Sequence, residues 1–375
     1  MLTPEQIEAL RLQSLRLVDP VNDFLIRDIA RRIKEAGQLT STAQYQTWLL
    51  QQMGVSQRQL KQQLRKLFNL SHREIRQLLT QSAEVGYRYD LKNLPFLQAV
   101  PFHQNLVLQN IVRAAVDMAA TDFENITQTL GMVDRFGRAM PLQEVYRSST
   151  DFVFKQVSTG AMDYNTAVLT ASRNIARYGV RTINYRSGTS TSLEAAVRRN
   201  VMGGMGLMQE RIGQYVHDDV GADGWEISAH AASAPDHEPY QGRQFSDEEY
   251  LELNGRLHRR IGTLNCGHVA HPIILGVNQP QYTDKQLQAL KDDNAEGVTV
   301  DGKHYSVYEA TQQQRKIERT IRAQKRKVMM ATDDEKRTQR ARLTILRQEY
   351  KRFSQLAGLR TEDERLYVAG FGRAG

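Results

Sequence analysis

The sequence holds one cysteine, Cys266, in 375 residues. An intramolecular disulfide is therefore excluded, and nothing in the chain calls for an oxidising compartment. Long apolar runs are missing as well. The segment "GGMGLM" is short and has polar flanks, well below the roughly 18 residues of a membrane span. The opening "MLTPEQIEALRLQSLRL" carries polar residues every few positions and no apolar h-region, which reads against a signal peptide. There is no internal repeat and no low-complexity tract. Hydrophobic residues make up 40% and mean hydropathy is −0.54, so the chain is polar but globular, and long enough for two or three cores.

Acidic charge is scarce in one place. The net charge is +8, yet residues 311–360 contain fifteen Lys/Arg against five Asp/Glu, a surplus of ten. The remainder sums to −2, so the protein is near-neutral with a basic C-terminal segment. Such a segment attracts nucleic acid by counterion release, or sits against an acidic protein face. The alternative is a solvated, salt-bridged helix pair. The candidate contact residues are Arg315, Lys316, Arg319, Arg322, Lys325, Arg326, Lys327, Arg340, Arg347, Lys351 and Arg352.

Residues 1–95 read as helices. Thr3-Pro4-Glu5-Gln6 offers an N-cap, a first-turn proline and a capping-box partner, and Ser71 with Glu74 repeats the signal before the Ile75/Leu78/Leu79 stripe. "VNDFLIRDIARRIKEAG" is amphipathic and ends on Gly37 as a C-cap. The proline-marked "LKNLPFLQAVPF" then leads to a second helical block, 96–215. Its "VMGGMGLM" glycines have no strand before them and no Lys-Ser/Thr after them, so they signal close helix packing and not a phosphate loop.

From 216 to 309 the pattern is that of a small α+β module. "GWEISAHAASA" alternates as a half-buried strand, with Trp225, Ile227 and Ala229 opposite Glu226, Ser228 and His230. "VAHPIILGV" is a second strand, placed at an edge by Pro272. Asp301-Gly302 marks a hairpin. Residues 310–375 read as two basic helices meeting at a Thr332/Glu335 capping box. Their seams are Ile317, Ile321 and Val328, and Leu343, Leu346, Tyr350 and Phe353; "LYVAGFGRAG" reads as loose or partner-dependent. The expected fold class is mainly α with a small α+β module. It is multi-domain, with long amphipathic helices, a short antiparallel sheet and a basic C-terminal helical hairpin.

Within the module, residues 230–271 concentrate His230, His237, His258, Cys266, His268 and His271, five of nine histidines and the only thiol. The order runs from a strand ending in His230, through "HEPYQGRQF" (His237, Gln241, Gly242, Arg243, Phe245), to "NCGH" (Asn265, Cys266, His268). The basic segments Tyr308 to Arg322 and Arg347 to Arg360 follow. This order resembles the phage minor capsid protein 2 family of tailed bacteriophages, most clearly over 225–368. The resemblance implies a head-assembly protein of the virion, present in low copy number near the portal. It would contact portal or major capsid protein, and packaged DNA through the basic end, and pass through the host cytoplasm during assembly. It carries over no catalytic residue and no cofactor.

Three readings of the cluster stay open. Zinc could be held by Cys266, His268 and His271 with His237 or His230, although His268 and His271 would face opposite sides of an extended strand. A nucleophile reading pairs Cys266 with His237 or His268 and orients it through Asn265 or Asp236, while a base reading sets His237 beside Glu238 and Arg243. The structural reading, preferred here, has these groups satisfy backbone in a compact module, with Gly242 supplying an unusual dihedral and Phe245 plugging the core. The rival functions are a nuclease- or toxin-like module at 216–309 and a DNA-binding accessory using 311–360.

Overall fold

A computed structural model describes residues 19–94, 99–134, 136–184, 189–263, 266–368 and 371. The Thr3–Gln6 cap and Asn265 lie outside them. Helix α1 (Asp19–Gly37) sets Val21, Leu25, Ile26, Ile29 and Ile33 on one stripe, each 1% exposed or less. It ends on Gly37 without the left-handed turn of a C-cap. The glycine is there for contact, since a Cβ would press on Val153 and Tyr164 at 2.9 Å. Helix α2 (Thr42–Asn93) starts where Ser41 accepts the Gln44 N–H. It runs 52 residues without interruption, so the start expected at Ser71 is overturned: a local capping signal loses to a helix already propagating through it.

Helices α3 (Leu106–Gln128), α4 (Leu142–Ser158), α5 (Tyr164–Tyr178) and α6 (Leu193–Val220) complete the helical body. Asn105 caps α3 by accepting from Val107 and Leu108. Between these helices lies a sheet that the helical reading of 96–215 did not contain. Strands β1 (Leu130–Val133), β2 (Ala139–Pro141), β3 (Arg181–Ile183) and β4 (Ser190–Ser192) pair antiparallel in the order β2-β1-β3-β4. Strands this short leave no alternation to read. The main core gathers α1 to α6, and Met330 from the C-terminal end joins it.

In the second sheet the two expected strands form, the first stopping at Ile227 short of His230, and a third that was not expected joins them. Strand β5 (Gly224–Ile227) is central, flanked by β6 (Gln244–Ser246) and, at the edge that Pro272 requires, β7 (Ala270–Ile273). The half-buried reading of β5 needs correction, because both its faces are buried. Trp225 packs on α6 beside Gly213, and Glu226, 1% exposed, accepts from Gln244 Nε2 and from the Gln281 N–H. Helix α7 (Asp247–Arg256) follows with a Ser246/Glu249 capping box, and α8 (Asp284–Glu296) with a Thr283/Gln286 box.

The hairpin β8 (Val298–Val300)/β9 (Lys303–Tyr305) turns on Asp301 and Gly302, both left-handed, as a type I′ turn demands. It leads to α9 (Val307–Met330), capped by a Ser306/Glu309 box, and α10 (Asp333–Leu356). The expected seams meet in one cluster of Val300, Ile317, Ile321, Val328, Leu343, Tyr350 and Phe353. Two details differ from expectation. Thr332 is the N-cap of α10, but its hydroxyl makes no capping bond and is buried without a partner. The tail is not loose through Val368: Leu366 and Val368 are buried, and Lys325 Nζ donates to the Leu366 carbonyl. Lys34 donates to the Ala331 carbonyl and Asn165 to Asp334, tying the α9–α10 hairpin to the body.

Candidate functional site

Two loops carry the cluster, and the ends of β5 and β7 hold them together. Beyond the strands, pairing continues from the Ser228 N–H to the Val269 carbonyl, and the Ser228 hydroxyl accepts the Val269 N–H, both at 2.9 Å. The first loop reverses through left-handed Ala232 and Gly242, whose N–H donates to the Ile227 carbonyl at 2.7 Å. The second closes with the Cys266 N–H on the Thr263 carbonyl at 2.8 Å. Two segments about thirty residues apart are thereby brought face to face.

His237, Cys266 and His268 converge, with one ligand atom from each within 4.8 Å of the others. His237 Nδ1 is 3.1 Å from Cys266 Sγ, and His268 Nδ1 is 3.3 Å from it. The far nitrogens fix the rings. His237 Nε2 lies 2.7 Å from the Arg259 carbonyl, which can only accept, so Nε2 carries a proton. His268 Nε2 lies 3.3 Å from both the Ser233 hydroxyl and Gln241 Oε1, and that amide oxygen also accepts the His230 N–H at 3.1 Å. Both Nδ1 atoms are thus the ones left facing sulfur. Both rings are inside, His237 at 1% exposure and His268 at 2%.

Electrostatics sharpens the pair. Burial pushes the Cys266 thiol up, but the His237 ring and the His268 and Gly262 N–H groups outweigh it and hold its pKa below that of an ordinary cysteine. Burial pulls His237 down, yet Cys266, the Arg259 carbonyl and Asp236 carry it above the usual histidine value. Burial, then the nearby His230 and His237, drive His268 to about 2, so it stays neutral. One proton is shared between sulfur and His237. Chemically, the trio can bind a soft or borderline cation, or present a polarised thiol.

The other candidates separate. His230 stacks on His268, ring centroids 4.3 Å apart, with Nδ1 donating to the Ala231 carbonyl. His271 faces the opposite side of β7, as its spacing demands, and bonds Asp90 of α2 at 2.7 Å with both side chains buried. His258 is exposed. Asp236 pairs with Arg259, and the orienting group on His237 Nε2 is the Arg259 carbonyl at 2.7 Å, nearer than Asp236 at 3.8 Å. Glu238 accepts from Asn294 and Arg243 is exposed, so the base arrangement with His237 is not formed.

Cys266 and His268 line a cleft of about 630 Å³ walled also by α6, α7 and residues 260–262. Its wall holds a pair that the sequence reading missed: His217 Nε2 bonds Asp247 Oδ1 at 2.9 Å, and the His217 ring stacks on Trp225. Thirty residues separate the two, and His217 lies in a helix whose periodicity marks it only as helical.

The family model for phage minor capsid protein 2 matches residues 2–354. The chain belongs to that family. The match extends through the helical body as well as the module and ends near the close of α10. No curated protein and no solved structure matched.

In this capsid protein the basic segment divides in two. Lys325 and Arg326 are buried, each 5% exposed, and donate to the Leu366 and Ala176 carbonyls. Arg322 and Arg326 reach Glu194 at 3.5 and 3.4 Å. Arg315, Lys327 and Arg347 are half-buried, and Arg352 pairs with Asp301 and Glu349. Lys316, Arg319, Arg340 and Lys351 are exposed, and so is Arg337, which the sequence reading passed over. No helix among the described residues is long and apolar enough to cross a membrane.

Proposed function

We propose that the chain is a structural component of the phage head, assembled in few copies beside the portal through protein contacts and working without turnover, with the outer face of α9–α10 turned toward packaged DNA. The family supports the assembly role. The observation that supports the DNA-facing side is the sorting of charge. Basic residues with internal work to do point inward, while Lys316, Arg319, Arg337, Arg340 and Lys351 stand in solvent on two adjoining helices. On α10, the carboxylates nearest this face are drawn off: Glu349 pairs with Arg352, and Asp333 with Lys336. Exposed cations on adjoining helices, with the nearby carboxylates already paired, bind phosphates by counterion release.

The test is duplex-DNA affinity against salt for the full chain and for a variant with Arg337, Arg340 and Lys351 changed to Glu. The native chain should weaken steeply with salt, and the variant's log–log slope should fall by about 3 while its melting is unchanged. A shallow native slope, or an unaltered variant, overturns the DNA-facing reading. Absence of the protein from purified heads overturns the assembly role.

A further inference from the structure

We propose that Cys266, His237 and His268 form a binding site for a zinc-class divalent cation, with its fourth coordination position open to the cleft along α6. Three observations carry this. First, three donors of the right kind converge from two loops. For tetrahedral zinc, bonds of about 2.3 Å to sulfur and 2.0–2.1 Å to nitrogen imply S···N separations of about 3.6 Å. The S···N separations here are 3.1 and 3.3 Å, so sulfur needs to part from each ring nitrogen by only a few tenths of an ångström, and one donor atom from each residue lies within 4.8 Å of the others.

Second, the outer partners are those a metal site uses. A ligating imidazole donates its other N–H to a carbonyl or similar acceptor, which fixes the tautomer and aims the lone pair. Here the Arg259 carbonyl does this for His237 and Gln241 Oε1 for His268. Two buried rings held with both Nδ1 atoms on one sulfur exceed what a thiol needs, since S–H donates one hydrogen bond. Third, the site has a mouth. Cys266 and His268 line the cleft of about 630 Å³, while His237 lies off its wall.

Borderline nitrogen and thiolate donors favour zinc over magnesium or calcium, which take oxygen. On binding, the cation replaces the proton held between Cys266 and His237, which leaves to solvent, and sulfur remains a thiolate. His271 takes no part, as it is committed to Asp90 across the strand.

The full chain is stripped with chelator, reloaded with zinc and, separately, with cobalt(II). One equivalent of zinc should be retained through dialysis, and the cobalt form should show a thiolate-to-metal charge-transfer band in the near ultraviolet. Cys266→Ser should abolish the band and His268→Gln should weaken binding, while His271→Gln should keep full stoichiometry. Gln241→Ala, which removes the acceptor beside His268 Nε2 together with the His230 N–H contact, should weaken zinc binding by about 10–100-fold. Because Cys266 is the sole thiol, a variant-free measurement is also available. Zinc should protect the native chain from iodoacetamide, and chelator should restore labelling. Labelling that is equally fast with and without zinc, or stoichiometry far below one after reloading, overturns the site and leaves a polarised thiol in its place.

Discussion

Glu194 is the point where the C-terminal hairpin is locked to the helical body, and its removal should cost more than that of any surface ion pair. The carboxylate sits in the first turn of α6, side chain 14% exposed. It receives Asn22 Nδ2 from α1 at 3.3 Å, Arg326 at 3.4 Å and Arg322 at 3.5 Å. Burial alone would raise its pKa; Arg322, Arg326 and Arg198 more than reverse that and hold it low. Breaking a buried pair by deleting one partner costs about 3–5 kcal/mol, because the remaining charge stays in place without compensation. Here the guanidiniums keep their bonds to the Ala176 and Arg365 carbonyls, which argues for the lower end. Glu194→Gln should therefore lose about 3 kcal/mol. At about 2 °C per kcal/mol for a large chain, that is a fall of roughly 6 °C in Tm. Circular dichroism melts of the native chain, Glu194→Gln, Arg326→Met and the double variant complete a cycle. The double variant should recover much of the loss, with coupling of about 1–3 kcal/mol. A Glu194→Gln loss below about 0.5 kcal/mol, in the range of surface substitutions, or strict additivity in the cycle, refutes the lock.

Gly206→Ala should destabilise by about 1–3 kcal/mol, since its Cβ would overlap the Gly262 carbonyl oxygen beside the cleft. Gly203→Ala, with open space at the same helix, should be neutral or gain up to about 1 kcal/mol; melts that shift alike for both refute the close approach. Burial would raise the Asp28 pKa, but Arg31, Arg32 and Tyr146 hold it below the usual 3.8. The unfolded chain then binds the proton first, so Asp28 contributes stability above that value and loses it as pH falls through the folded pKa. Urea midpoints between pH 5 and 2 should fall less steeply for Asp28→Asn than for the native chain, and parallel curves would disprove the contribution.

Periodicity made legible whatever has a partner of predictable chemistry. The stripes of α1, α9 and α10 announce their buried faces, Pro272 announces an edge, and Asp301-Gly302 announces a turn. The failures are residues whose environment is set from far away in the chain. Glu226 reads as a solvent-facing strand residue and is buried because Gln244 and the Gln281 N–H reach it. Thr332 is placed as a cap by its dihedrals but not bonded as one. Asp90 belongs with His271 across 181 residues, and no local pattern marks it. In the cluster, residue types and order identified the family, and the opposite facing of His268 and His271 followed from strand spacing. Convergence of the trio depended on two loop reversals at Ala232 and Gly242, which spacing cannot supply.

The basic end shows why composition alone misassigns charge. As a sequence, 311–360 is one undivided cationic block. Folded, it does two jobs. Arg322, Lys325 and Arg326 hold the hairpin to Glu194 and to the 365–366 turn, while Lys316, Arg319, Arg337, Arg340 and Lys351 face solvent. The inward set cannot serve a polyanion without unlocking the fold, and the outward set contributes little to stability because exposed charges are screened. Deleting the whole segment would remove both functions together and expose the core around Met330 and the Glu194 carboxylate. Loss of DNA binding after such a deletion would then report unfolding as readily as lost contacts. Charge reversal confined to the outward residues separates the two, because it changes the field toward DNA and leaves every buried pair in place.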